Sequence, residues 1–145
     1  MLEITRQADY ALRAVTEVAR LANGDRIPTA VIAERQKIPL PFLAKIVSQL
    51  SVQGVLEATR GAGGGVRLAR DPQAITLREV IETIDGPITV NRCALDPDSC
   101  EFSTTCPVCE VFVEAREVLV EKLEEFTFAD VSARAKELEK RSNGA

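Results

Sequence analysis

Along the first half of the chain, apolar residues return every three or four positions in three separate runs. In "TRQADYALRAVTEVARLA" the residues Ala11, Ala14, Val15, Val18 and Ala22 fall on one face, the stripe of a helix packed on one side, and Asn23-Gly24 is the expected stop. A shorter helix is predicted after Pro28, with Thr29 as its N-cap and "AVIAERQ" as its body. A tight "KIPLP" link leads into "LPFLAKIVSQLSVQG", whose Leu43, Ile46, Val47 and Leu50 again share a face. Pro41 suits the first turn of this third helix and Gly54 its C-terminal cap. The period then changes, and "VLEATR" and "VRLAR" read as two strands joined by the loop "GAGGG".

Beyond Asp71-Pro72 the pair Thr76 and Glu79 has the spacing of a capping box for a helix with Leu77, Val80, Ile81 and Ile84 on its apolar face and Gly86-Pro87 as its stop. Residues 91–109 read as an irregular loop. From Pro107 to about Phe126 a long helix carries Val108, Val111, Phe112, Ala115, Val118, Leu119 and Leu123. That stripe is wider than one small domain requires, and little chain remains to cover it, so a homodimer built on this helix is predicted. Thr127 is the expected cap of a last helix, "FADVSARAKELEK", followed by a frayed "RSNGA".

Helix, short helix, tight turn, helix with a polar outer face, then hairpin is the order of a winged helix-turn-helix. The fold expected is therefore mainly α with a small β-hairpin wing. Residues 1–75 form the DNA-binding domain, and residues 76–145 supply a linker helix, the cysteine-rich loop 91–109 and the dimerisation helix. The third helix would enter the major groove of double-stranded DNA with Pro41, Phe42, Ala44, Lys45, Ser48 and Gln49 outward. Lys45 is suited to donate to guanine and Gln49 to pair with adenine. Arg60, at the base of the wing, would enter a minor groove or hold a phosphate. On periodicity alone, the same triplet also fits a plain helical core with Lys45 and Gln49 as solvated surface. The "GAGGG" loop is not expected to cradle a nucleotide, because no Gly-Lys-Ser/Thr follows it and no helix opens after it.

Charge agrees with a polyanion partner at one end of the molecule. Residues 1–74 hold 10 Lys/Arg against 7 Asp/Glu, whereas residues 75–145 hold 8 against 15, and local field rather than the net charge of −4 governs encounter with DNA. There is no run of eighteen apolar residues, and charges interrupt "MLEITRQADYALRA". These features point to a cytoplasmic protein with no membrane span and no secretory signal. The chain has no histidine for acid-base chemistry and no nucleophile motif, so neither catalysis nor a small-molecule substrate is expected.

All four cysteines lie in "NRCALDPDSCEFSTTCPVC": Cys93, Cys100, Cys106 and Cys109. In a reducing compartment such clustering points to metal ligands or redox-active thiols rather than to structural disulfides. Spacings of six, five and two residues do not fit paired Cys-x2-Cys zinc knuckles. Soft sulfur donors suit an iron-sulfur cluster and zinc alike, and a metal-free thiol switch uses the same residues. Cys106-x-x-Cys109 lacks the βαβ surroundings of a thioredoxin-like site.

"ADYALRAV", "PLPFLAKIVSQL", "GVLEATRGAGGGVRLAR" and the downstream cysteines together resemble the Rrf-two family of winged-helix regulators over residues 1 to about 126. The resemblance implies a homodimer whose DNA binding many members alter through an iron-sulfur cluster, [2Fe-2S] or [4Fe-4S], sensing oxidant, nitric oxide or iron supply. Other members lack a cluster and respond through a partner protein. It also implies a recognition helix over residues 41–53, Arg60 as the wing arginine, and Cys93, Cys100 and Cys106 as three cluster ligands. For the fourth, some members use a histidine where this chain has Cys109, and others an aspartate of the partner subunit at the position of Asp9. Ala44 stands where certain members have a glutamate that screens promoters by cluster state, so that form of switching between two DNA motifs is not expected.

Overall fold

The computed structural model describes residues 2–22 and 24–144. Asn23, half of the expected stop of the first helix, and Ala145 at the end of the tail lie outside the described residues. Helix α1 (Arg6–Ala19) starts at Thr5, whose hydroxyl accepts from the Ala8 N–H at 3.1 Å. It buries Ala8, Ala11, Ala14, Val15 and Val18. The helix ends three residues short of the expected Ala22, which is exposed, after the Arg20 N–H divides between the carbonyls of Thr16 and Glu17 and tightens the last turn.

Helix α2 (Thr29–Gln36) begins one residue earlier than expected. Pro28 is the N-cap, because its carbonyl accepts from Val31 and Ile32, and the Thr29 side chain caps nothing. Helix α3 (Leu40–Val52) places Pro41 in its first turn and buries Leu43, Ile46, Val47 and Leu50. Gly54, at φ 73°, closes it, with the Val55 N–H returning to the Leu50 carbonyl at 2.9 Å.

Strands β1 (Leu56–Thr59) and β2 (Gly65–Leu68) pair antiparallel, with Ala58 opposite Val66. The glycine loop is a steric necessity at two points. A Cβ on Gly64 would lie 2.3 Å from the Thr59 carbonyl oxygen, and one on Gly65 2.7 Å from that of Ile27. Ile27 exchanges two backbone hydrogen bonds with Val66 and ties the hairpin to the α1–α2 connection.

Helix α4 (Leu77–Asp85) is capped by Thr76, but the capping box is only half made. Glu79 gives its N–H to Thr76 at 3.2 Å, while its carboxylate turns to an ion pair with Arg70. The expected irregular loop is partly ordered, as a short helix α5 (Arg92–Leu95) and a 3-10 turn over Pro97–Ser99. Helix α6 (Pro107–Glu125) follows, then α7 (Phe128–Asn143), for which Thr127 and Asp130 make a complete capping box. The expected fraying is absent from Arg141–Asn143, which continue the helix.

One core spans both halves of the chain. Phe128 from α7, Val80 from α4 and Ile75 are fully buried with Val15, Ile32, Leu43, Ile46, Leu50 and Val66 of the helix-turn-helix and hairpin. The backbone of residues 75–77 pairs with that of 126–128, so α4 and α7 leave this core from a common point. Helix α6 contributes little to it: Val108, Val111, Val118 and Leu119 are exposed, Phe112 and Leu123 are half-buried, and only Cys109 is buried. The order of elements, with one two-stranded antiparallel hairpin, is the predicted winged helix-turn-helix followed by a long helix.

Candidate nucleic-acid interface and cysteine centre

Burial of Leu43, Ile46, Val47 and Leu50 fixes the rotation of α3 and turns Pro41, Phe42, Lys45 and Ser48 to solvent. Phe42 is 49% exposed. Gln49 departs from expectation. It is half-buried, and its carboxamide oxygen is shielded from solvent without a hydrogen-bond partner. A groove of about 470 Å³ runs between α3 and the hairpin, with Ser48, Ser51 and Val52 on one wall and Ala58 and Arg60 on the other.

The wing carries more cation than its strands alone suggest. Glu57 on β1 receives Arg67 from β2 at 3.0 Å and Arg26 at 3.4 Å, and Arg26 also donates to the Thr59 hydroxyl at 2.7 Å. The hydrogen bond from Arg67 is the main reason that the Glu57 carboxyl lies below its usual range, with Arg26 adding to it. Arg26 was not legible as a wing residue. It lies in the α1–α2 connection, and only the Ile27–Val66 pairing brings it there.

The cysteines gather around the start of α6. Cys93 lies on α5, Cys100 just after the 3-10 turn, Cys106 is the N-cap of α6, and Cys109 sits within its first turn. The Cys109 thiol donates to the Cys93 carbonyl at 3.6 Å. Its pKa is pushed up to about 11, first by a hydrogen bond with the Cys93 side chain, then by burial and by the charges that Cys93, Cys106 and Cys100 would carry. Among the described residues, no three His, Cys, Asp or Glu side chains close around a single ion position.

Asp9 is not part of this gathering. It is exposed on α1 and pairs with Arg13 at 3.2 Å, and Arg13 in turn donates to the Gln36 carbonyl at 2.8 Å. The segment entering the cysteine loop is held from both sides: Glu82 accepts from the Ile88 N–H at 3.2 Å, and Arg116 of α6 donates to the Ile88 carbonyl at 2.7 Å. Asp85, the last residue of α4, accepts from both the backbone N–H and the hydroxyl of Thr5, the N-cap of α1. At the other end of α4, Arg70 joins Glu79 to the Gly54 carbonyl just beyond α3 at 3.0 Å.

Among the described residues, no helix is long and apolar enough to cross a membrane. Comparison with known proteins agrees with the frame just described. The HTH-type transcriptional regulator IscR of Vibrio cholerae is 34% identical over 105 residues, 72% of this chain and 60% of that protein. The chain thus spans about 60% of the length of the curated relatives it matches. Among solved structures, T. potens IscR superposes with a TM-score of 0.77 at 24% identity, covering 94% of this chain and 90% of that one. CymR, described as the global cysteine regulator of B. subtilis, gives a TM-score of 0.77 at 27% identity, covering 92% and 98%. The model of the Rrf2 family, described as iron-dependent transcriptional regulators, matches residues 4–134, and the chain belongs to that family.

Proposed function

We propose that this protein is a cytoplasmic, homodimeric transcriptional regulator that binds double-stranded operator DNA, and that an iron-sulfur cluster in the cysteine loop sets its DNA affinity. The observation that supports the reading is the hydrogen bond from the Cys109 thiol to the Cys93 carbonyl, with Cys106 as the N-cap of the same helix, one short segment away from the hydrogen bonds between Asp85 of α4 and Thr5. Thiolates crowded in this way repel one another, and a cationic iron centre turns that repulsion into ligation. When bound, the group supplies a site that oxidant, nitric oxide or iron shortage can dismantle.

Cys93, Cys100 and Cys106 are the first three ligands in this reading. Cys109 is the fourth donor at hand within the chain; Asp9 would serve only from the partner subunit. The exposed apolar residues of α6 supply the dimer contact. In the DNA complex α3 lies in the major groove with Pro41, Phe42, Lys45 and Ser48 toward the bases, and Arg60 follows the adjacent backbone or minor groove. Ordering the cysteine loop is transmitted through Ile88 and Asp85 to α1, and through Glu79 and Arg70 to the end of α3.

The test is the visible spectrum of anaerobically purified protein, with iron, acid-labile sulfide and zinc measured on the same sample. Brown protein with iron and sulfide is expected. Cys109→Ala should lose the cluster if Cys109 is the fourth ligand, and Asp9→Ala if that ligand comes from the partner subunit. A second reading, a metal-free thiol switch, draws on the Cys93–Cys109 contact and on the likeness to the cysteine regulator CymR. Protein that stays colourless after reconstitution, yet changes its DNA affinity on reversible oxidation, would favour it.

A further inference from the structure

Among the described residues, Lys37 is the one non-glycine residue with a left-handed backbone, at φ 53° and ψ 46°. An L-residue there brings its Cβ toward the following carbonyl, which is why glycine and asparagine predominate where a helix ends in this conformation. The conformation itself is needed. It lets the Ile38 N–H return to the Ala33 carbonyl at 2.9 Å and redirects the chain to Pro39 and Leu40, where α3 begins. Glycine would make the same turn with less strain.

The lysine side chain is therefore not what the turn requires, and it does nothing visible for the rest of the fold. Its neighbour Arg35 reaches the buried Glu17 at 3.6 Å. Lys37 is exposed and enters no ion pair among the described residues. It stands three residues before α3, at the end that exposes Pro41 and Phe42. An exposed ammonium at that end is available to a phosphate backbone when the helix enters a groove.

We infer that Lys37 is a DNA-phosphate contact at the entry to the recognition helix, retained in a backbone conformation that glycine would hold at lower cost. The inference rests on the DNA-binding reading above. It separates two properties that usually move together, since removing the side chain should strengthen the fold and weaken the complex.

The probe is a duplex selected from a random-sequence pool by the wild-type protein, titrated over a salt series with thermal melting of the same variants. Lys37→Gly should raise Tm by about 3 °C. It should also weaken binding roughly fivefold per half-site near 0.15 M salt, and lower the slope of log K against log salt by about 0.9 for each phosphate that is no longer neutralised. Lys37→Gln, which keeps the strained backbone, should weaken DNA binding equally with no rise in Tm, and Lys37→Arg should restore both affinity and slope. Wild-type affinity and slope in the Gly and Gln variants would overturn the inference alone. So would a Gln variant that loses Tm but not DNA affinity, since the charge would then serve the C-terminal carbonyls of α2. If the wild-type protein selects no duplex at all, the DNA-binding reading fails and takes the inference with it.

Discussion

Helices α3 and α6 carry much the same message in sequence, a regular apolar stripe, and the fold treats them in opposite ways. In α3 the stripe of Leu43, Ile46, Val47 and Leu50 is buried to within a few percent. In α6 the corresponding residues include Val118, which remains 67% exposed, and Val111, at 60%. The stripe on α3 is satisfied by α1, α4 and the hairpin of its own chain. That on α6 meets α4 and α5 but leaves Val108, Val111, Val118 and Leu119 exposed. Periodicity reports that a face must be covered; what covers it depends on where the rest of the chain goes. The stripe of α3 is closed within the chain, whereas that of α6, in our proposal, is covered by a second copy.

The sharpest way to break this contrast is to truncate one residue from each stripe. Leu50→Ala in the reading head should cost about 3 kcal/mol of stability at any protein concentration, because Leu50 is fully buried and its neighbours cannot close the cavity. Val118→Glu on α6 should instead leave the melting of dilute protein nearly unchanged and abolish the dimer in sedimentation. If Val118→Glu unfolds the isolated subunit, α6 belongs to the core after all.

A smaller effect distinguishes base reading from simple attraction on the outward face of α3. Lys45→Ala should weaken operator binding by about 1 to 3 kcal/mol and relax preference at one base position. Uniform weakening across all duplexes would assign Lys45 to phosphate instead. Smaller again is Glu79→Gln, which severs the ion pair with Arg70 but leaves the Thr76 cap in place. It should cost less than about 1 kcal/mol of stability, as exposed pairs do, and should shrink the difference in DNA affinity between cluster-loaded and cluster-free protein.

The smallest expected effect is a pH dependence on the wing. The folded-state pKa of Glu57 is depressed below the ordinary 4.5 by Arg67 and Arg26. Its contribution is thus present above the unfolded value and lost as pH falls through the folded one. A stability difference between wild type and Glu57→Gln should be seen at pH 7 and vanish in acid, and a difference that grows in acid would contradict the pairing.

What the sequence revealed divides along the same line. The faces of α1, α3 and α4, the hairpin and the glycine loop were legible, because local propensity and burial in the same chain agree there. Local signals failed where a distant group competed. Arg70 draws Glu79 away from the capping box, and the Pro28 carbonyl starts α2 before Thr29 can cap it. The four residues of α5 are too few to show a period. Gln49 looked outward because helical spacing locates a Cβ and leaves the direction of a long side chain open. The burial of Cys109 and its hydrogen bond to the Cys93 carbonyl were not foreseeable from spacing.

The central claim is that the state of the cysteine centre sets DNA affinity. Its most direct test is operator binding by cluster-loaded and cluster-free protein prepared from one batch and titrated anaerobically at matched salt. A ligand shifts an equilibrium only by the difference in its affinity for the two states. The two forms should differ in affinity by at least about tenfold, corresponding to roughly 1.4 kcal/mol of coupling. Equal affinities in the two forms would contradict it.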